Sequence, residues 1–542
     1  MILTTASLGA QHKEVMSCDD AFISSDIANS QMDPSHIIYW SLDFLYNDMI
    51  FEPGKWMVTL TVLFLTVIFF WKCFRKSFPP GPIAKPIFGN LDLLRNKPHI
   101  ALTNLKNGYG DVYSLKLGWR KAVVVCSYEG IKEGLVDLET VCNFRPNLLS
   151  AKLLFCGNQE RGLLFAACEE KLKLKKDFTR HVLYSFCSHG ELLHDTLTDE
   201  TFNLVCSLVN HEGPVCVHNH FESLALRIQL LLVVGKLYDP EDTNFVEIMQ
   251  TYKLRSAHLK LNLYDYLPKL FTHFGKLKES ILSEQTHMQL DFFRQILNRH
   301  KDCYNPKIIN DMMDHMLVVM ENNEDMGLLD QEDLDYLFLE ICGSGFRAIS
   351  SLILWLLAYM TTFQDVQTKV QQELDTVVGS ERLPVATDQP FLPYTCAVIM
   401  ETHRLASVIP LTFPHRTEKC CKFQGYDIPK DTIMLFNIWN LHHDSQYWIN
   451  PMKFDPTRFL REDGSLHIPD HFLPFGAGPR ACPGESLVEL EVFIIFTNIL
   501  HQLELHPLDG NPPCLEGEYV GHVLQPRPFY FNVTPRFKNE TY

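Results

Sequence analysis

The 542-residue chain has no Cys-x-x-Cys spacing, although it carries 16 cysteines. That absence argues against a structural zinc site. The cysteines are scattered along a long chain, which also argues against a disulfide scaffold, since those are short and cysteine-dense. They read as small core residues of a reducing compartment. Basic excess is missing too. A net charge of −17 argues against a nucleic-acid binder, which shows a basic patch. There is no low-complexity tract. At 46% hydrophobic and 21% charged, the proportions are globular and sufficient for one large core.

Long uncharged apolar runs are scarce as well. One reads as a membrane segment, from Trp56 to Trp71. It is slightly short for a spanning helix, which needs about 20 residues. Trp56 and Trp71 are placed as interfacial aromatics. Lys72, Arg75 and Lys76 follow it, whereas residues 1–55 before it are acidic. The positive-inside rule then puts the C-terminal bulk in the cytosol. The acidic lead and the basic exit favour an uncleaved anchor over a signal peptide. Next comes Phe78-Pro79-Pro80-Gly81-Pro82, a stiff connector that stops the membrane helix.

The richest stretch is Phe472-Leu473-Pro474-Phe475-Gly476-Ala477-Gly478-Pro479-Arg480-Ala481-Cys482-Pro483-Gly484-Glu485. A single cysteine stands in a Pro/Gly loop just before an apolar helical run. The helix N-terminus favours its thiolate. Small neighbours let it approach something large and flat, Phe475 can pack on that object, and Arg480 offers a cation to a carboxylate. These are the requirements of a haem held by a cysteine axial ligand.

Elsewhere, Asp111–Gly118 and Lys121–Cys126 alternate as a β-hairpin. From about residue 160 onward most segments have helical period, and short strands are expected near Tyr519–Val523 and Phe529–Val533. The expected fold is mainly α with a minor β region. The longest helix spans Asp330 to Met360, capped by Asp330 and interrupted by Gly343 and Gly345, which suggest a local opening or a close approach to a ligand. Residues Glu169–Lys176 form a basic helical stretch. Glu401 and Arg404 share a helix face at i, i+3.

The spacing Phe475, Gly478, Arg480, Cys482, Gly484 resembles the haem-binding loop of the cytochrome P-450 family. Glu401-x-x-Arg404 and Pro456-x-Arg458-Phe459 are similar to two further motifs of that family, in the right order. The likeness covers most of residues 78–537. Locally, Phe363–Pro414 resembles the aryl-hydrocarbon and oestrogen hydroxylases, and Leu473–Gly484 the steroid 17-alpha-hydroxylases. The resemblance implies an acidic extension (1–55), a transmembrane anchor (56–71), a basic, proline-rich hinge (72–82) and one haem-thiolate catalytic domain (83–537). It implies haem b with Cys482 as axial ligand, and Lys176, Arg480 and His415 near the propionates. It also implies a buried ion network of Glu401, Arg404 and Arg458. The implied activity is monooxygenation of a lipophilic substrate (steroid, fatty acid or aromatic) at the endoplasmic reticulum membrane, with a cytosolic catalytic domain. Electrons would come from NADPH through NADPH-cytochrome P-450 reductase, with cytochrome b5 as a further candidate partner and the basic stretch as a docking face. By family position, Val408, Ile409, Leu411, Phe346 and Val523 are candidate pocket residues.

The family's oxygen-activating helix carries an acid followed by a threonine, near Gly-x-Gly-Phe-Asp-Thr. This chain has Gly343-Ser344-Gly345-Phe346-Arg347-Ala348. Arg347 has no proton to shuttle near neutral pH, and Ala348 has no polar group. Three readings stay open. The chain is a monooxygenase whose protons come through water, with Ser351 as a candidate helper. Alternatively it rearranges peroxides without activating dioxygen, or it binds haem or an apolar ligand and catalyses little.

Overall fold

The computed structural model describes residues 53–74, 78–167, 169–189, 191–258, 263–267, 272–303, 305–322 and 329–537. The acidic extension up to residue 52, and Arg75 and Lys76 of the basic exit, lie outside them. The chain divides into two units, 1–74 and 75–542. In the first, helix α1 runs from Pro53 to Phe74, 22 residues. That is longer than the expected segment at both ends. At 1.5 Å per residue it reaches about 33 Å, enough for a hydrocarbon core of about 30 Å.

The second unit is mainly helical. Its central element is α7 (Gln331–Thr362), preceded by α2 (Glu169–His189), α3 (Glu191–Val209), α4 (His218–Val234), α5 (Thr243–Ala257) and α6 (Thr272–Cys303). It is followed by α8 (Gln364–Val377), α9 (Pro393–Ala406) and α10 (Glu485–Gln502). Helix α7 starts as its sequence dictates. The Asp330 carboxylate accepts from the Asp333 amide at 2.8 Å, and Asp333 accepts from the Asp330 amide at 3.3 Å, a reciprocal cap. By length and composition α7 could cross a membrane, but its apolar side chains are the core of the unit. The helix runs unbroken through Gly343 and Gly345. A Cβ at Gly343 would lie 2.9 Å from the Tyr252 ring, and one at Gly345 2.9 Å from Gln229 Cδ. The glycines therefore admit α5 and α4 at close range. The helix is not opened, and besides meeting these neighbours both glycines border the cavity described below.

The β region is small. Strands β1 (Val112–Leu117) and β2 (Arg120–Val125) form the expected hairpin, with Val112 opposite Val125 and Leu117 opposite Arg120. Gly118 closes it at φ +58°. Strand β6 (Ile433–Phe436) adds parallel to β2, and β3 (His415–Arg416) adds antiparallel to β6, with His415 opposite Met434. Strands β4 (Cys421–Phe423) and β5 (Tyr426–Ile428) make a separate hairpin. Near the C-terminus, the strand expected at Tyr519–Val523 is a turn: β8 (Gly517–Val520) ends, Gly521 takes φ +68°, and β9 (Val523–Pro526) returns. The other expected strand is β10 (Phe531–Pro535), paired with β7 (Leu503–Pro507).

Candidate active site

The cysteine loop is built by its glycines. Gly476 and Gly478 take φ +76° and +66°, a region other residues enter only at a cost. A Cβ on Gly478 would fall 2.0 Å from the Leu135 carbonyl oxygen. The Cys482 amide donates to the Phe475 carbonyl at 2.9 Å and closes the loop just before α10. Cys482 and Phe475 face one mainly apolar cavity, which Ala348, Ile349 and Leu352 of α7 border as well. Burial pushes the Cys482 thiol up, and the Gly484 amide and the Lys176 cation pull it back down.

The same cavity collects basic groups. Arg145, Lys176 and Arg480 line it as cations, and His415 lines it as a neutral imidazole, held well below its usual value by burial and by Arg145 and Arg480. Arg145 donates only to carbonyls: Leu164 at 2.9 Å, Phe413 at 2.8 Å and Pro414 at 3.0 Å. Arg480 donates to the Asn143 and Ala166 carbonyls at 3.1 and 2.6 Å. Lys176 Nζ reaches the Pro479 carbonyl at 2.5 Å. Burial, then the Arg180 cation, lowers Lys176 to about 8. Among the described residues His415 Nδ1 is buried without a hydrogen-bond partner. Among the described residues neither Arg145 nor Lys176 forms an ion pair, and burial beside Arg480 holds Arg145 well below its usual value. Buried cations without an anion are costly. Arg145 and Lys176 therefore call for a ligand that brings carboxylates. A thiol, an apolar slot and a rim of cations fit haem with its two propionates.

Arg145 is the member sequence reasoning missed. Its signal was a lone arginine between Phe144 and Pro146, with no acidic residue from position 140 to 159. The basic stretch of α2 is not the solvated face its composition suggests. Lys171 and Lys175 both pair with Asp333 at 3.0 Å, and Lys175 is fully buried. Leu172 and Lys176 line the cavity, which leaves Lys173 and Arg180 as exposed cations.

Behind the loop, Glu401, Arg404 and Arg458 come together. Arg404 grips Glu401 with Nε at 2.7 Å and Nη2 at 2.8 Å, and Arg458 Nε adds a contact at 3.1 Å. The Asp455 amide donates to the same carboxylate at 2.9 Å. Glu401 and Arg404 are 0% exposed.

Across the cavity, α7 separates its two substituted positions. Ala348 borders the cavity. Arg347 turns away to α4, where it pairs with Glu222, and to α5, where it donates to Ser256 Oγ at 3.3 Å. Ser351 does not line the cavity. Its hydroxyl donates to the Arg347 carbonyl at 2.7 Å, a bond within its own helix. Of the five expected pocket residues, Val408 and Ile409 line the cavity, and Leu411, Phe346 and Val523 do not. Phe346 packs against Tyr252 in the core, and Leu411 packs beneath the small sheet.

The cytochrome P450 family model matches residues 79–533. The chain belongs to the cytochrome P450 family. It is 29% identical over 510 residues to human cytochrome P450 2U1, covering 87% of this chain and 92% of that one. It is 30% identical over 481 residues to human cytochrome P450 1B1, covering 85% and 88%. It is 31% identical over 472 residues to the steroid 17-alpha-hydroxylase/17,20 lyase of Rana dybowskii, covering 84% and 89%. As a cytochrome P450 the chain is a haem-thiolate monooxygenase that binds haem b, with the mainly α fold expected of it.

Proposed function

We propose that this cytochrome P450 is anchored in the endoplasmic reticulum membrane by α1 and oxidises a lipophilic substrate with NADPH electrons delivered by a separate reductase. Cytochrome b5 is a second candidate donor. The length of α1 and its uncharged stretch from Trp56 to Trp71 support the anchor. A hinge to Pro82 and a catalytic domain over 83–537 complete the division of the chain.

In this reading Cys482 ligates the haem iron, and Arg145, Lys176, Arg480 and His415 hold the propionates. Phe475, Gly478 and Gly484 keep the loop narrow enough for the thiolate to approach. Glu401, Arg404 and Arg458 brace the core behind it. Bound there, haem supplies dioxygen activation and insertion of one oxygen atom into a substrate bond. The apolar lining, including Val408 and Ile409, excludes water and selects lipophilic molecules. The observation that carries this reading is a cavity bordered by Cys482 and by two cations, Arg145 and Lys176, that have no acid partner among the described residues.

A second reading rests on one observation. Arg347 faces Glu222, and Ala348 presents a methyl to the cavity, so α7 offers no acid or hydroxyl at those two positions. Peroxide rearrangement needs neither. Turnover with reductase and NADPH is compared with turnover on an added organic hydroperoxide. NADPH-supported product formation is expected, and activity confined to the hydroperoxide overturns the monooxygenase reading.

A further inference from the structure

One cation in the cavity is not part of the propionate rim. Arg255 lies in the last turn of α5 and borders the same cavity as Cys482. It is 7% exposed. Among the described residues its hydrogen bond is Nη1 to Thr286 Oγ1 at 2.7 Å, and its guanidinium lies 5.4 Å from the centre of the Phe155 ring. It forms no ion pair there. Glu340 also borders the cavity and contributes the largest electrostatic support to Arg255. Yet both Glu340 oxygens are already engaged, Oε1 by the Leu164 amide at 3.2 Å and Oε2 by the Leu163 amide. Burial still outweighs that support and lowers the pKa of Arg255.

A plain packing role accounts for part of this. The C-terminal dipole of α5 and the Phe155 face each favour a cation by about 1 kcal/mol. Neither uses the guanidinium's remaining N–H donors; an arginine has five, and Thr286 takes one. A buried guanidinium on an apolar cavity is matched by a bidentate anion.

Position sets the length of that anion's body. One turn before Arg255, Tyr252 touches Gly343 of α7, and Glu340 lies in the same region. From Glu340 to Ala348 the helix advances eight residues, about 12 Å at 1.5 Å each. Between them α7 lends Ile341, Gly343, Ser344 and Gly345 to the lining, Ile349 and Leu352 continue it past Ala348, and Phe155 and Phe165 border the same cavity.

We propose that the cavity takes an elongated amphiphile with a single anionic head held by Arg255 and an apolar body reaching about 12 Å along α7 to Ala348. This rests on the monooxygenase reading and names its substrate class. The head's chemistry is a carboxylate or a sulfate, so the body is either an acyl chain or a sterol.

The test uses the haem-loaded full chain. Binding of dodecanoic acid and methyl dodecanoate, and of a steroid 3-sulfate and its free 3-hydroxy form, is measured by Soret titration and by calorimetry. In at least one pair the anion is expected to bind ten-fold or more tightly than its neutral partner. Arg255→Gln should remove that preference and leave affinity for the neutral partner unchanged, and Arg255→Lys should keep part of it. Equal binding of anion and neutral forms in both pairs by the wild type overturns the proposal, as does a preference that survives Arg255→Gln. If Arg255→Gln does not fold, the wild-type ratio and Arg255→Lys decide. The two failures are separable. Loss of the thiolate-type reduced carbon monoxide spectrum, or of NADPH-supported turnover of any substrate, overturns the monooxygenase reading. An intact spectrum and turnover with no anion preference overturns only this inference.

Discussion

Glu401→Gln is the most informative single substitution behind the haem loop. Glu401 and Arg404 are both 0% exposed, so water replaces nothing that is lost. The carboxylate accepts the two Arg404 bonds, the Arg458 bond and the Asp455 amide. The amide keeps the shape and removes the charge, leaving Arg404 a buried cation. Its other partners are carbonyls, with His442 at 2.6 Å and Lys453 at 3.4 Å. Breaking one side of a buried pair costs about 3–5 kcal/mol. That is a large share of the roughly 5–15 kcal/mol that holds a domain folded. Urea denaturation of the haem-loaded protein should show this as a midpoint lowered by about 1 M or more, at a slope of about 3 kcal/mol per M. Replacing Glu401 and Arg404 together by methionine should cost less than the two single changes summed, because neither charge is then stranded. A loss below about 1 kcal/mol for Glu401→Gln would refute the reasoning, since carbonyls alone would then satisfy the guanidinium.

Two further outcomes test other parts of the site. Gly478→Ala forces a Cβ to within 2.0 Å of the Leu135 carbonyl at φ +66°, so the variant should fail to retain haem at a yield where Gly464→Ala, with no atom near its Cβ, still does. Retention of haem by Gly478→Ala at the wild-type ratio of Soret to protein absorbance would contradict this. Glu491 is buried against Gln229, and burial raises its carboxyl from 4.5 to about 8. A folded pKa above the unfolded one means the native state holds the proton more tightly. This contribution to stability is therefore complete below about pH 4.5, falls as pH rises to about 8, and is gone above it. Glu491→Gln should remove that fall, so the wild-type minus variant difference in urea midpoint should decline across the window. A flat difference refutes it.

Much of this site was legible because its residues are close in sequence and rigidly spaced. Glu401 and Arg404 meet at i, i+3, the loop glycines sit beside Cys482, and α7 announces its start at Asp330 and Asp333. Partners distant in sequence were not legible. Nothing in the Lys171–Lys176 run says that Asp333 will pair with two of its lysines and bury one of them, and nothing near Arg347 points to Glu222, 125 positions earlier. Ser351 was misleading for a different reason. A serine inside a helix satisfies itself on the carbonyl four residues back, so a hydroxyl near the right height need not face the cavity. The Tyr519–Val523 reading failed on one glycine: Val520 precedes Gly521 and Val523 stands two residues after it, and its positive φ shows that they belong to two strands.

The side chain at position 347 also decides how the missing acid and threonine are to be tested. Glu222 is held by two cations, Arg347 and Lys253, the latter at 2.8 Å. Arg347→Asp therefore does more than restore an acid. It removes one cation and sets a second carboxylate toward Glu222, and like charges in a low-dielectric site destabilise each other. A double change to Asp and Thr confounds chemistry with folding. Ala348→Thr alone does not, because Ala348 already borders the cavity and leaves the Arg347–Glu222 pair intact. Stability should stay within about 1 kcal/mol of wild type for Ala348→Thr and fall by several for Arg347→Asp. If the absent hydroxyl limits oxygen use, Ala348→Thr raises product formed per NADPH consumed. Unchanged coupling in a well-folded variant would mean that protons reach the haem by a path that does not pass position 348. An Arg347→Asp variant as stable as wild type would mean that the pairing with Glu222 contributes nothing to the α4–α7 contact.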